Sequence, residues 1–188
     1  MAGQSAEKNG ESTQRGYLML LVGHERATSD AALGIALRAA GHNLRVHIIE
    51  FLKGGRDRGE VAAVSFLTGV TLTQYGTVPP QRTTEDMDGP AIAPDRLEAA
   101  LREAQVHVRQ RVTNILILDG LLTLVGQGLV EESKILELVN ESAPWLDIVV
   151  SGATVTDSLK EAADSVTMME IVKSSERAEQ PLRRGIHY

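Results

Sequence analysis

The run Asn114-Ile115-Leu116-Ile117-Leu118-Asp119 constrains the fold more than any other segment of the chain. It is too short for a buried helix and shows no alternation, so it has no face reserved for water. It therefore predicts a strand covered on both sides, as in a parallel sheet flanked by helices. Its acidic last residue, Asp119, falls at the carboxyl edge of that sheet, where ligands of open α/β folds bind.

Tyr17 to Val22, Leu44 to Phe51 and Leu146 to Val150 repeat this signal, and Thr71 to Tyr75 and Ser165 to Val172 read as further strands. Between them, apolar residues return at helical spacing from Ser29 to Ala40, Gly59 to Leu67, Pro94 to Val112, Glu131 to Val139 and Thr156 to Ala163. Alternation of this kind predicts a single α/β domain with a doubly wound, mostly parallel sheet of about six strands. The expected organisation is a solvated arm over residues 1–16, the α/β body over 17–173 and a polar tail over 174–188. Gly76 to Pro94 holds four of the six prolines and reads as a long loop.

Composition removes several classes of function. With no cysteine, disulfides, thiolate catalysis and cysteine-ligated metals are excluded. A formal charge of −6 argues against general nucleic-acid or membrane-surface binding, both of which rely on concentrated Lys and Arg. No apolar run approaches the roughly 20 residues of a membrane span. A cytoplasmic protein with small-molecule or protein partners is expected. The five histidines show no regular ligand spacing along the chain, so no metal site is expected from them.

The segment Val22-Gly23-His24-Glu25-Arg26-Ala27-Thr28-Ser29-Asp30 joins the first strand to the first helix, where a P-loop sits. A P-loop turns backbone N–H groups toward phosphates with glycines, reaches the terminal phosphates with a Lys and places a Ser or Thr on magnesium. In that spacing Ala27 stands for the glycine before the lysine and Thr28 for the lysine itself, while Ser29 keeps the hydroxyl and also reads as a helix N-cap. Glu25 and Asp30 bring carboxylates to a place meant for an anion, and Arg26 is the loop's cation.

From Arg15 to Tyr188 the chain resembles the ATP-dependent corrinoid adenosyltransferases. The loop and following helix retain Gly23, Ala31, Ala32, Gly34, Ala36, Arg38 and Ala39 of the family pattern. Phe51-Leu52-Lys53-Gly54 with Gly59-Glu60 matches a second motif, and Ala163, Asp164, Val166, Thr167, Met169, Val172, Lys173, Gly185, Ile186 and Tyr188 match the family's ending. The resemblance implies a P-loop NTPase-like (RecA-like) fold, a homodimer, and formation of the cobalt–carbon bond of adenosylcobalamin from ATP, magnesium and a corrinoid.

Departures from the pattern fall at its ligand positions. Glu25, Arg26, Ala27 and Thr28 replace the loop's inner glycines and lysines. Asp119-Gly120 stands where the pattern has Asp-Glu, and Ser151-Gly152-Ala153 where it has Thr-Gly-Arg. Gly76-Thr77-Val78-Pro79-Pro80-Gln81 lacks the two aromatics, at Pro79 and Gln81, that the family sets against the corrinoid. These departures predict a non-catalytic relative with a vestigial nucleotide site at Gly23, Arg26, Thr28, Ser29, Asp30 and Asp119 and a vestigial corrinoid loop at Gly76, Pro79 and Gln81. No catalytic residue or cofactor is then expected. An active adenosyltransferase and a binder of a different small molecule are the alternatives. Leu121, Leu122, Leu124 and Val125 read as either a buried lid or a contact surface for a partner.

Overall fold

The structure, a computed structural model, describes residues 15–55, 58–76, 92–110, 112–173 and 183–186. Six strands, β1 (Leu18–Gly23), β2 (Val46–Glu50), β3 (Val70–Gln74), β4 (Ile115–Asp119), β5 (Asp147–Gly152) and β6 (Ser165–Met169), form one sheet in the order β3-β2-β4-β5-β1-β6. Every pairing is parallel. Between the strands run α1 (Glu25–Gly41), α2 (Gly59–Val64), α3 (Pro94–Arg109), α4 (Leu121–Gly126), α5 (Glu132–Glu141) and α6 (Asp157–Ala162). In chain order β1, β2, β3 and β5 are each followed by one of these helices and β4 by two. Parallel neighbours need crossovers of that size.

The uninterrupted apolar runs have a direct cause. Successive side chains of a strand point to opposite faces, and both faces are covered. On one face Leu20, Ile49, Leu116, Leu118 and Val150 pack against Ala100, Ala104 and Val108 of α3 and Ile135 and Leu138 of α5. On the other face Leu21, Ile48, Ile117 and Val149 meet Ala32, Ala36 and Ala39 of α1. Burying each large aliphatic side chain contributes about 1.5–3 kcal/mol.

The strands lie within a residue or two of the expected positions, apart from shorter ends on β2 and β6. Helix α1 differs: it begins at Glu25 rather than Ser29, with His24 as its N-cap. Helix α4 was read only as an apolar stretch. Gly120, at φ 89°, turns the chain straight from the edge of β4 into this helix, a conformation costly for other residues. Leu121, Leu122 and Leu124 have no exposed area and Val125 packs partly buried against the same cluster. Leu121, Leu122 and Leu124 are therefore core, and the contact-surface reading of those three is corrected: this apolar run packs against β5.

Arg15 and Gly16, assigned above to the arm, are tied to the body. Arg15 Nη1 pairs with Asp164 Oδ2 at 2.7 Å, and Asp164 also accepts from Leu18 N at 2.7 Å. No helix among the described residues is long and apolar enough to cross a membrane.

Candidate functional site

The register lines up a polar row at the carboxyl end of the sheet. Gln74 pairs with Glu50 and Glu50 with Asp119, while Leu118 opposite Val150 makes Ser151 the next residue along β5. All four side chains alternate onto the face covered by α1. Ser29, in the second turn of that helix, closes the row from above.

Asp119 is the centre. Ser29 Oγ donates to Asp119 at 2.9 Å from Oδ1 and 2.8 Å from Oδ2, and Ser151 Oγ donates to Oδ1 while accepting from Gly120 N at 3.0 Å. Lys53, three residues past the end of β2, swings its ammonium into the same place. Its Nζ lies 2.7 Å from Asp119 Oδ2, donates to Ser29 Oγ and stands 3.7 Å from Glu50 Oε1. Glu50, Ser151, Ser29, Asp119 and Lys53 are all buried. Burial pushes the Glu50 carboxyl above its usual range, with the Asp119 charge adding to the rise; Lys53 and the bond from Gln74 Nε2 at 2.7 Å oppose it. One buried ammonium thus balances Asp119, and the second carboxyl favours its proton.

Lys53 is held there by a close approach of backbone. A Cβ at Gly76 would lie 2.3 Å from both Leu52 C and Lys53 N, so only glycine lets the end of β3 pass this segment. Gly76, expected to face a corrinoid, supports the lysine's backbone. Pro79 and Gln81 lie outside the described residues.

The segment from Gly23 to Ser29 is helical from Glu25 onward. Thr28 N donates to His24 O at 3.1 Å, Thr28 Oγ1 to Glu25 O at 3.1 Å and Arg26 N to His24 Nδ1 at 3.4 Å. The Thr28 and Arg26 amides, two of those a P-loop would present to phosphate, are bonded to the backbone and ring of His24. Thr28 and Ser29 are buried, Asp30 is exposed, and Ser29 is not the cap. In front of the polar row lies a cavity of about 540 Å³, lined by Glu25, Asp30 and Glu60 and by Arg26, Lys53 and Arg58, with Gly185 and Ile186 of the tail at its edge. Equal numbers of acidic and basic side chains give it no strong field for a polyanion.

Residues 14–188 match the family described as ATP:corrinoid adenosyltransferase BtuR/CobO/CobP. This chain belongs to that family. Among its curated relatives, a corrinoid adenosyltransferase of Pseudomonas aeruginosa is 28% identical over 176 residues, covering 93% of this chain and 85% of the relative. Corrinoid adenosyltransferases of Sinorhizobium sp and Escherichia coli are 22% and 24% identical, each aligned over more than nine-tenths of this chain. Of the positions expected to matter in a corrinoid adenosyltransferase, Ser29 and Asp119 are brought together, Arg26 and Asp30 line the cavity, and Gly23 ends β1 against Met169 of β6. Lys53, Glu50 and Ser151 were not singled out as site residues, although Lys53 is a charge placed directly after a buried strand.

A second polar cluster lies on the opposite face of the sheet. His47 of β2 and His107 of α3 stack with ring centroids 3.9 Å apart and planes 8° from parallel. Glu103, one turn before His107, brings Oε1 to 3.2 Å from His47 Nε2 without the alignment of a hydrogen bond, and accepts from Thr73 Oγ1 at 3.1 Å. Burial first, and then the neighbouring His107, lower His47 to a pKa of about 4. Burial also lowers His107, against the pull of Glu103.

Proposed function

We propose that this member of the corrinoid adenosyltransferase family does not transfer an adenosyl group and acts as a binding, scaffold or regulatory protein. The observation that carries this reading is the Lys53 ammonium lodged between Ser29 and Asp119. A P-loop site offers magnesium the hydroxyl of its Ser or Thr and the carboxylate at the end of a neighbouring strand. Here both oxygens already bond the Lys53 ammonium, which a magnesium–nucleotide complex would first have to displace. The helical start at Glu25 supports the same reading, since the Thr28 amide is committed to His24 O. Glu25 in the first turn adds a carboxylate where phosphate would have to settle.

The test is direct. A ligand at 100 times its dissociation constant adds about 2.7 kcal/mol to stability, so ATP with magnesium at millimolar concentration would raise the melting temperature visibly if it bound. The expected result is no shift, and no adenosylcobalamin formed from reduced cobalamin in an optical assay. A shift of several degrees, or product above a protein-free blank, overturns the proposal.

A second reading, an active adenosyltransferase, is favoured by the retained Ser29–Asp119 pair across β5. On that reading Lys53 would leave Asp119 when nucleotide arrives. Product that disappears in Asp119→Ala would support it.

A further inference from the structure

The His47–Glu103–His107 cluster has the makings of a metal centre that the spacing of histidines along the chain did not reveal. Glu103 and His107 are one helical turn apart on α3 and so share a face, and His47 meets them from the middle of β2. One ligand atom from each residue lies within 4.8 Å of the other two.

The surroundings of the three residues are those of ligands. His47 Nδ1 is 2.7 Å from Thr71 Oγ1 and His107 Nδ1 is 2.7 Å from Thr113 Oγ1. In the tautomer whose Nδ1–H donates to the threonine hydroxyl, each ring presents a bare Nε2, the arrangement by which metal-bound histidines are oriented. The Thr71 position is fixed by register, directly opposite His47 in the β2–β3 ladder. His47 is 5% exposed, and its Nε2 and Glu103 Oε2 are buried without a hydrogen bond of good geometry, Nε2 facing Glu103 Oε1 at 3.2 Å off the line such a bond needs. A buried polar atom left unpaired costs about 1–3 kcal/mol, and two in one cluster are a cost that a shared ligand would remove.

We propose that His47 Nε2, His107 Nε2 and one Glu103 carboxylate oxygen bind a divalent transition-metal ion, with zinc as the first candidate. Two imidazoles and a carboxylate are a known three-ligand set for zinc, which leaves one position for water. Glu103 and His107 are only half-buried, so an ion can enter and a water can complete the shell from the solvent side. The stacked rings aim their lone pairs along nearly parallel planes. Binding therefore requires the rings to tilt about their Nδ1–threonine anchors until the ligand atoms, now up to 4.8 Å apart, close toward the about 3.3 Å spacing set by metal bonds of 2.0–2.1 Å. The site is on the other face of the sheet from Asp119 and does not depend on whether the protein transfers an adenosyl group.

The experiment is a calorimetric titration of tag-free, metal-stripped full-length protein with zinc, together with cobalt(II) followed by its visible absorption. One ion per chain is expected, with cobalt absorption typical of a four-coordinate nitrogen–oxygen site. His107→Gln and Glu103→Gln, both at half-buried positions, should each weaken binding at least 100-fold while leaving the circular dichroism spectrum unchanged. Thr113→Val, which frees the His107 ring without removing a ligand, should weaken it about 10–100-fold. If either Gln variant fails to fold, X-ray absorption of the zinc-loaded wild type decides, since two imidazoles at about 2.0–2.1 Å are required. No stoichiometric binding by the wild type, binding unchanged in the two Gln variants, or a metal shell without two imidazoles overturns the proposal.

Discussion

Lys53→Met removes the ammonium and keeps most of the side chain's volume, so it isolates the charge at the centre of the polar row. Lys53 is 7% and Asp119 4% exposed. Removing one partner of a buried ion pair typically costs about 3–5 kcal/mol, because the remaining charge stays in a poorly hydrating place. Asp119 would still accept from Ser29 and Ser151, which puts the expected loss near the lower end, about 3 kcal/mol. In a domain of this size that corresponds to a melting temperature lower by roughly 6–12 °C. Urea unfolding of wild type, Lys53→Met, Asp119→Asn and the double variant measures the coupling, and the double variant should be less unstable than the sum of the singles by at least about 1 kcal/mol. Without the ammonium, the Asp119, Ser29 and Glu50 oxygens become a site for a hard cation. Millimolar magnesium should then stabilise Lys53→Met and leave the wild type unchanged. A variant within about 0.5 kcal/mol of wild type, or strictly additive changes, would refute the idea that Lys53 neutralises this site.

Three other perturbations test the surrounding structure. Leu122→Asp should cost several kcal/mol or prevent folding, measured by urea unfolding, because it buries a charge where no side-chain area is exposed. Glu50→Gln should gain on wild type as pH rises above about 4.5: the folded pKa of Glu50 is raised by burial, so its contribution is fully present below the unfolded pKa and is lost as pH rises through the folded one, a loss Gln does not suffer. Asp164→Asn should cost about 1 kcal/mol at neutral pH. Burial alone would raise the Asp164 pKa, but Arg15 and the Leu18 N–H outweigh it and hold the carboxyl below its usual range, so the difference from wild type should fade as pH drops through that lowered value.

The sheet was legible because its signal is local. A strand covered on both faces is apolar over most of its length, and β1, β2, β4 and β5 announce themselves within five or six residues each. Helix α4 escaped because Leu121 to Val125 is as uniformly apolar as a strand, and nothing within the run separates a short buried helix from a lid. The start of α1 was misplaced for a different reason. A resemblance to a P-loop favours a loop as far as Ser29, whereas Glu25 and Ala27 in place of glycines remove the backbone freedom a cradle needs and let the helix run back to His24.

The polar row shows what a reading by motif position cannot see. Lys was sought at position 28 because a P-loop places it one residue before its hydroxyl, and Thr28 there points to an absent cation. In space the cation is present: it arrives from Lys53, beyond the end of another strand, and reaches Asp119 because β2 and β4 are neighbours with Glu50 opposite Asp119. The same holds across the sheet, where His47 and His107 are sixty residues apart in sequence and stacked in the fold. Neither pairing follows from spacing within a motif. Each follows from strand order and register, which depend on the sheet as a whole, so a lost ligand position is evidence about chemistry only after the neighbouring strands have been asked what they supply.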